Sequence, residues 1–245
     1  YSWSAIFGDV HRNNAIFNNG LMAGSSHTLA GGPIGSSAIL GYQNSTAGAG
    51  LKIHNFIGGL QNSFSTTGTS GTNLIFGSGN TISTNEVLET ALIGNRATIT
   101  NVESNYNFLA GDGTTLTGTS GDLVQWATIF GEASSITINE PTRLVNNPFI
   151  IGGYLNAINL NAGAGNIFSP FILGTRNTIT NAAAGSLTAP MIIGYRSTTS
   201  GDMSLVTGFR GHATPGGIGA FVHGFSTTYS GSGNWTGTVE PVTAG

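Results

Sequence analysis

One short unit recurs along the whole chain: three apolar residues, a Gly, two variable residues, a small or polar residue, then Ser or Thr on either side of an apolar one. It is clearest in Phe171–Thr180 (FILGTRNTIT) and returns in Ala38–Thr46, Leu74–Ser83 and Ala91–Thr100. Alignment on the Gly gives thirteen copies, anchored at Gly8, Gly24, Gly41, Gly59, Gly77, Gly94, Gly111, Gly131, Gly153, Gly174, Gly194, Gly208 and Gly224. A unit this short cannot bury an apolar face alone, so copies must stack, each as one coil of a solenoid. The reading predicts one elongated all-β body over residues 1–229, with 230–245 as a C-terminal cap or linker.

Two interior columns follow from the period of a strand, whose successive side chains face opposite ways. Two residues before each anchor stand aliphatics such as Met22, Ile39, Ile75, Leu109, Ile151 and Ile172. Five residues after it stand Leu29, Phe64, Ile82, Ile99, Leu116, Ile136, Ile158 and Ile179. The first set predicts one inner wall and the second set the opposing one. Residues one and three before the Gly should then face outward, yet pairs such as Leu74/Phe76, Ala91/Ile93, Ile150/Gly152 and Phe171/Leu173 are apolar. A strand apolar on both faces is covered on both faces. Stacked at ~4.8 Å per rung, the copies make an outer apolar strip about 60 Å long, more than a lone chain normally exposes. A closed cyclic homo-oligomer is the expected solution.

The Gly marks a tight turn. Asn44, Asn62, Asn80, Asn156 and Asn177, three residues later, read as a second turn position where Asn accepts the left-handed region and bonds its own backbone. Spacing between anchors is 14 to 18 residues for most of the chain and 20 to 22 between Gly111 and Gly194. The surplus, within 119–126, 138–148, 160–170 and 181–190, reads as outer loops, where solenoids carry binding residues. Trp126, Arg143, Tyr154 and Asn161 are the receptor-binding candidates these loops supply.

Composition narrows the function. Charged residues are 7% of 245 and the formal charge is −3, so nothing marks a nucleic-acid partner. Arg96, Arg176, Arg196 and Arg210 are the one recurrent set of cations. There is no Cys, hence no disulfide or thiolate metal site, and no run reaches the ~18 apolar residues of a membrane span. The chain opens on Tyr1 rather than Met, which points to a processed product or a piece of a longer chain. The carboxylates select no catalytic pair, the histidines show no metal-ligand spacing, and Gly-x-Gly at Gly77 and Gly111 precedes no helix. The expectation is therefore a non-enzyme without cofactor or metal. His11 and His27 share one slot in adjacent copies, and His223 would approach the axis of an oligomer.

The unit Ser37–Thr46, with the looser copies around Gly94 and Gly194, resembles the head repeat of YadA-type trimeric autotransporter adhesins, and similar repeats occur in trimeric phage and other virion fibres. The resemblance implies a left-handed parallel β-roll of about thirteen coils, a homotrimer packed through its inner strands, and a head that binds a host-cell surface glycan or protein, on a virion or at the cell surface. The middle copies are longer than that family's, Phe7, Phe76 and Phe130 are bulkier than its usual residues beside the Gly, and no heptad stalk follows. Two alternatives remain open. Thr81, Thr98, Thr100, Thr115, Thr117, Thr137, Thr178 and Thr180 flank the second column and would stack as an outward hydroxyl ladder of the kind that orders ice, interrupted by Ala157/Asn159 and His212. A polysaccharide-degrading tailspike is the other.

Overall fold

The computed structural model describes residues 4–14, 16–49, 52–68, 70–84, 86–100, 103–117, 123–138, 144–160, 165–181, 185–214, 217–226, 228–229 and 233–234. The described chain is all β, with every paired strand parallel to its neighbours, stacked as a β-solenoid. Two walls carry thirteen strands each. The first runs from Ser4–Asp9 through Asn73–Ser78 and Phe171–Thr175 to Phe221–Phe225. The second runs from Arg12–Asn13 through Thr98–Thr100 to Thr228–Tyr229.

Register follows the sequence alignment rung by rung, as in Ile75↔Leu92↔Leu109↔Ile129 on the first wall and Ile82↔Ile99↔Leu116↔Ile136 on the second. Both columns are buried to 1% exposure or less from Met22 to Val222 and from Leu29 to Ile179, save Thr46 at 2%. Ile6, on the first rung, is 48% exposed because no described strand lies beneath it.

One anchor is corrected. Ile150, not Ile151, fills the interior column, with Ile129↔Ile150↔Ile172 in register. Gly152 takes the turning position at φ 105°, and Gly153 is an extra residue in a bulge, where the register shifts between Phe130 and Glu132. A bulge inserts one residue without disturbing the ladder beyond it. The outward pair of this rung is accordingly Phe149/Ile151.

A third wall, absent from the sequence pattern, joins the second wall to the first wall of the next coil. Phe17–Asn18, Ile34–Gly35 and Lys52–Ile53 form one sheet of it; Glu86–Leu88, Glu103–Asn105, Leu123–Gln125, Leu144–Asn146, Ile167–Phe168 and Leu187–Thr188 form another. Its inward residues, seven before each Gly, include Phe17, Ile34, Val124, Val145, Ile167 and Leu187, all buried. Part of each segment read as an outer loop is thus core strand, while 119–122, 139–143, 161–164 and 182–184 lie outside the described residues. Lys52, Ser70 and Ser104 occupy the same file, and those polar letters hide the column in the sequence. At the C-terminal end Gly233–Asn234 still pairs with Gly217–Ile218; residues 230–232 and 235–245, the rest of the expected cap, lie outside the described residues.

The turns repeat as strictly as the strands. Gly111 sits at φ 134°, and a Cβ there would stand 1.7 Å from the Gly131 carbonyl oxygen; the neighbouring rung's backbone passes where any side chain would be. Left-handed non-Gly residues fall at two turns of each coil: five before the Gly, as in Ser36, His54, Tyr106 and Trp126, and two after it, as in Gln43, Gln61, Arg96, Arg176, Arg196 and Arg210. The Asn one step further is not left-handed, which corrects that assignment. It is buried, and its amide ties two rungs together. In Asn62, Nδ2 donates to the carbonyls of Gly58 (2.8 Å) and Gly77 (3.0 Å), while Oδ1 accepts the backbone N–H of Asn80 at 3.0 Å. Asn44, Asn80, Asn156 and Asn177 repeat the arrangement.

His27 occupies the same slot and mimics Asn. Its Nδ1 accepts the Asn44 N–H at 3.2 Å, so its Nε2 carries the proton and donates to Ala23 O at 3.0 Å. His11 stacks beneath it with ring centroids 5.2 Å apart. Their shared slot is therefore a structural one.

Candidate functional site

The most unusual surface is the outward face of the first wall. On it stand the residues one and three before each Gly. Leu74, Ala91, Phe108, Phe149, Phe171 and Met191 are half-buried; Phe76 (52% exposed), Phe130 (40%), Leu173 and Ile193 are exposed. Rings pack on one another, Phe108 diagonally on Phe130 across the two files at 5.0 Å and Phe149 on Phe171 along one file at 5.4 Å. Small residues sit opposite large ones: at Gly58 a Cβ would meet the Phe56 ring at 2.8 Å and the Phe76 ring at 3.0 Å.

Two shallow grooves run beside this face. One, of about 700 Å³, is lined by Ala5, Leu21, Ala38 and Phe56 with Asn19, Ser36 and His54 at its rim. The other, of about 630 Å³, is lined by Phe56, Leu74, Ala91 and Phe108 with Glu89 and Tyr106 at its rim. His223 belongs to the same face, its Nδ1 2.6 Å from the Thr207 hydroxyl.

The outward face of the second wall is polar. The eight ladder threonines all lie on it, in two files, Thr81↔Thr98↔Thr115↔Ser135 and Ser83↔Thr100↔Thr117↔Thr137, with Thr178 and Thr180 beyond Ala157 and Asn159. All eight are half-exposed. Some hydroxyls are engaged locally: Thr98 bonds Arg96 O at 3.3 Å, and Thr198 bonds His212 Nδ1.

The two described receptor-binding candidates, Trp126 and Tyr154, lie on opposite edges of the first wall. Trp126 is 56% exposed at the turn between third and first walls and stacks on Tyr106 at 4.5 Å. Tyr154 lies at the other edge of the first wall, beneath the Arg176 guanidinium at 5.5 Å. Arg143 and Asn161 lie outside the described residues.

Sequence reading also overlooked a carboxylate pair, since Asp112 and Glu132 are register partners on adjacent rungs. Asp112 is held by Arg96 at 3.1 Å and by the Asn95 amide at 3.1 Å, and Glu132 is exposed. A glycosidase acid needs an apolar pocket that keeps its proton on, and this pair stands on an open edge. Among the described residues no three His, Asp or Glu gather as metal ligands, and no helix could cross a membrane. No protein family, curated protein or solved structure proved similar to this chain.

Proposed function

We propose that the chain is the head of a homotrimeric fibre, a left-handed β-roll of about thirteen coils, which attaches a virion or a cell to a host surface and performs no chemistry of its own. The observation behind it is the outward face of the first wall. A strip about 60 Å long and a few strand residues wide, at ~4.8 Å per rung, approaches the roughly 800 Å² per partner of a stable interface. Three copies related by a three-fold axis would turn these strips toward one another and fill the grooves with one another's side chains. A rod so assembled is stiff and displays three copies of every outer surface, so weak contacts to a repetitive host surface add up.

Sedimentation equilibrium checks the assembly: a mass of about 75 kDa, three times the 25.0 kDa of one chain, is expected. Saturable adsorption of the labelled protein to host cells, competed by unlabelled protein, checks the role. A monomer at micromolar concentration would refute the trimer, and adsorption that never saturates would refute attachment.

The in-register threonine files favour ice binding as a second reading, since four consecutive rungs carry hydroxyls in both files. Thermal hysteresis measured on the purified protein decides it. The break at Ala157 and Asn159 and the locally bonded hydroxyls weigh against a flat ordered array.

A further inference from the structure

Along the corner where the first wall turns into the second, the last third of the solenoid carries a ridge of stacked rings and guanidinium groups. Tyr195, Phe209 and Phe225 occupy one file on three consecutive rungs, with centroids 5.1 and 4.8 Å apart and interplanar angles of 17° and 3°. In the adjoining file stand Arg176, Arg196 and Arg210, also on consecutive rungs and all exposed. Each guanidinium lies over a ring: Arg176 on Tyr154 at 5.5 Å, Arg196 on Tyr195 at 5.1 Å, Arg210 on Phe209 at 5.1 Å.

Three features make this more than a solvated edge. First, the backbone does not dictate it. The left-handed position two after the Gly is filled elsewhere by Ser26, Gln43, Gln61 and Ala133, so arginine on three rungs in a row is not a conformational requirement. Secondly, the charge is uncompensated. Arg96, in the same file, has Asp112; among the described residues none of the other three has a carboxylate partner, and Glu132 lies two rungs before Arg176. Like charges held about 4.8 Å apart by the rungs repel, on a chain whose formal charge is −3. Thirdly, the groups are pre-set. Each Arg N–H is tied to the preceding rung, to Tyr154 O, Thr175 O and Tyr195 O at 2.9, 3.0 and 2.9 Å, and the rings restrain the guanidinium planes. Fixed planar forks suit carboxylate and sulfate groups, and little freedom is lost when a ligand binds.

We infer that this ridge binds an acidic polysaccharide, a chain of sugars carrying carboxylate or sulfate groups at a regular interval. A periodic polymer matches a periodic row of cations. A single-stranded nucleic acid would instead need a series of free aromatic faces for its bases, and here Tyr195 and Phe209 are covered by neighbouring rings and guanidinium groups, which leaves Phe225 as the one well-exposed ring of the file. The inference rests on the attachment reading above and names the class of surface it would engage.

The test is titration of the purified protein with polygalacturonate, dextran sulfate, neutral dextran and oligo-dT. Saturable binding to either acidic polymer and none to dextran is expected, and the two acidic arms tell a carboxylate preference from a sulfate one. The triple variant Arg176→Gln/Arg196→Gln/Arg210→Gln should bind about tenfold or more weakly, whereas Arg96→Gln should bind like the parent. Tyr195→Ala/Phe209→Ala, which keeps every charge, should also weaken binding. Absent binding, full affinity in either multiple variant, or oligo-dT binding as tightly as the acidic glycans would overturn the inference; circular dichroism shows that each variant is folded. Sedimentation of the same samples separates the two proposals. A trimer that ignores acidic glycans sinks only the ridge, and a monomer that binds them sinks only the trimer.

Discussion

Asn62 shows how one side chain can hold two rungs. Its amide donates to the carbonyls of Gly58 and Gly77 and accepts from Asn80 N–H, all inside the solenoid. Asn62→Leu keeps the volume and strands those groups away from water, which should cost about 3 kcal/mol, read by urea unfolding; a loss under 1 kcal/mol would mean that the ladder is incidental. Lys52 is the converse case. Its side chain is fully buried on the third wall with Nζ donating to Gly48 O at 3.0 Å, and burial pushes its amine below the ordinary 10.5. Between the lowered value and 10.5 the unfolded chain holds a proton that the folded chain has released, so stability should rise with pH across that window. Lys52→Met should abolish the rise, read from melting curves taken across that pH window. A melting curve unchanged in its pH dependence would contradict this.

At the scale of an element, the strand Phe149–Tyr154 separates pattern from register. Three apolar residues precede two glycines in Phe149–Gly153, so either Gly could anchor the unit, and counting from the second puts Ile151 inside. The ladder decides otherwise. Phe149 must stack on Phe171 and Ile150 must meet Ile129 and Ile172, because a one-residue slip would send every side chain to the opposite face. Ile150→Ala should therefore cost about 2–5 kcal/mol of unfolding free energy, and Ile151→Ala clearly less in a dissociated chain. The reverse order would restore Gly153 as the anchor. The third wall was hidden for a related reason: two-residue strands such as Phe17–Asn18 and Leu187–Thr188 are too short to show a period of two.

For the whole molecule the decisive property is that one wall is apolar on both faces. Leu74→Asp alters a half-buried position on the outward face and leaves the interior Ile75 untouched. On the proposed trimer it should preserve the β circular-dichroism spectrum while shifting sedimentation from the about 75 kDa expected of three chains toward the 25.0 kDa of one, since an unpaired carboxylate in a dry interface would cost several kcal/mol. A 75 kDa variant would mean that some other face joins the copies.

Gly spacing and the two aliphatic files declare a stacked parallel architecture in the sequence itself, because a strand's alternation and a turn's need for Gly are local properties. The hydroxyl files and the double-sided first wall are legible for the same reason. The third wall, the bulge at Gly152–Gly153, the double duty of the buried Asn and the row of Arg on stacked rings are settled only when coils lie on one another. Each depends on what the next rung places about 4.8 Å away, and residues so paired stand 14 to 22 positions apart in a chain whose rungs differ in length.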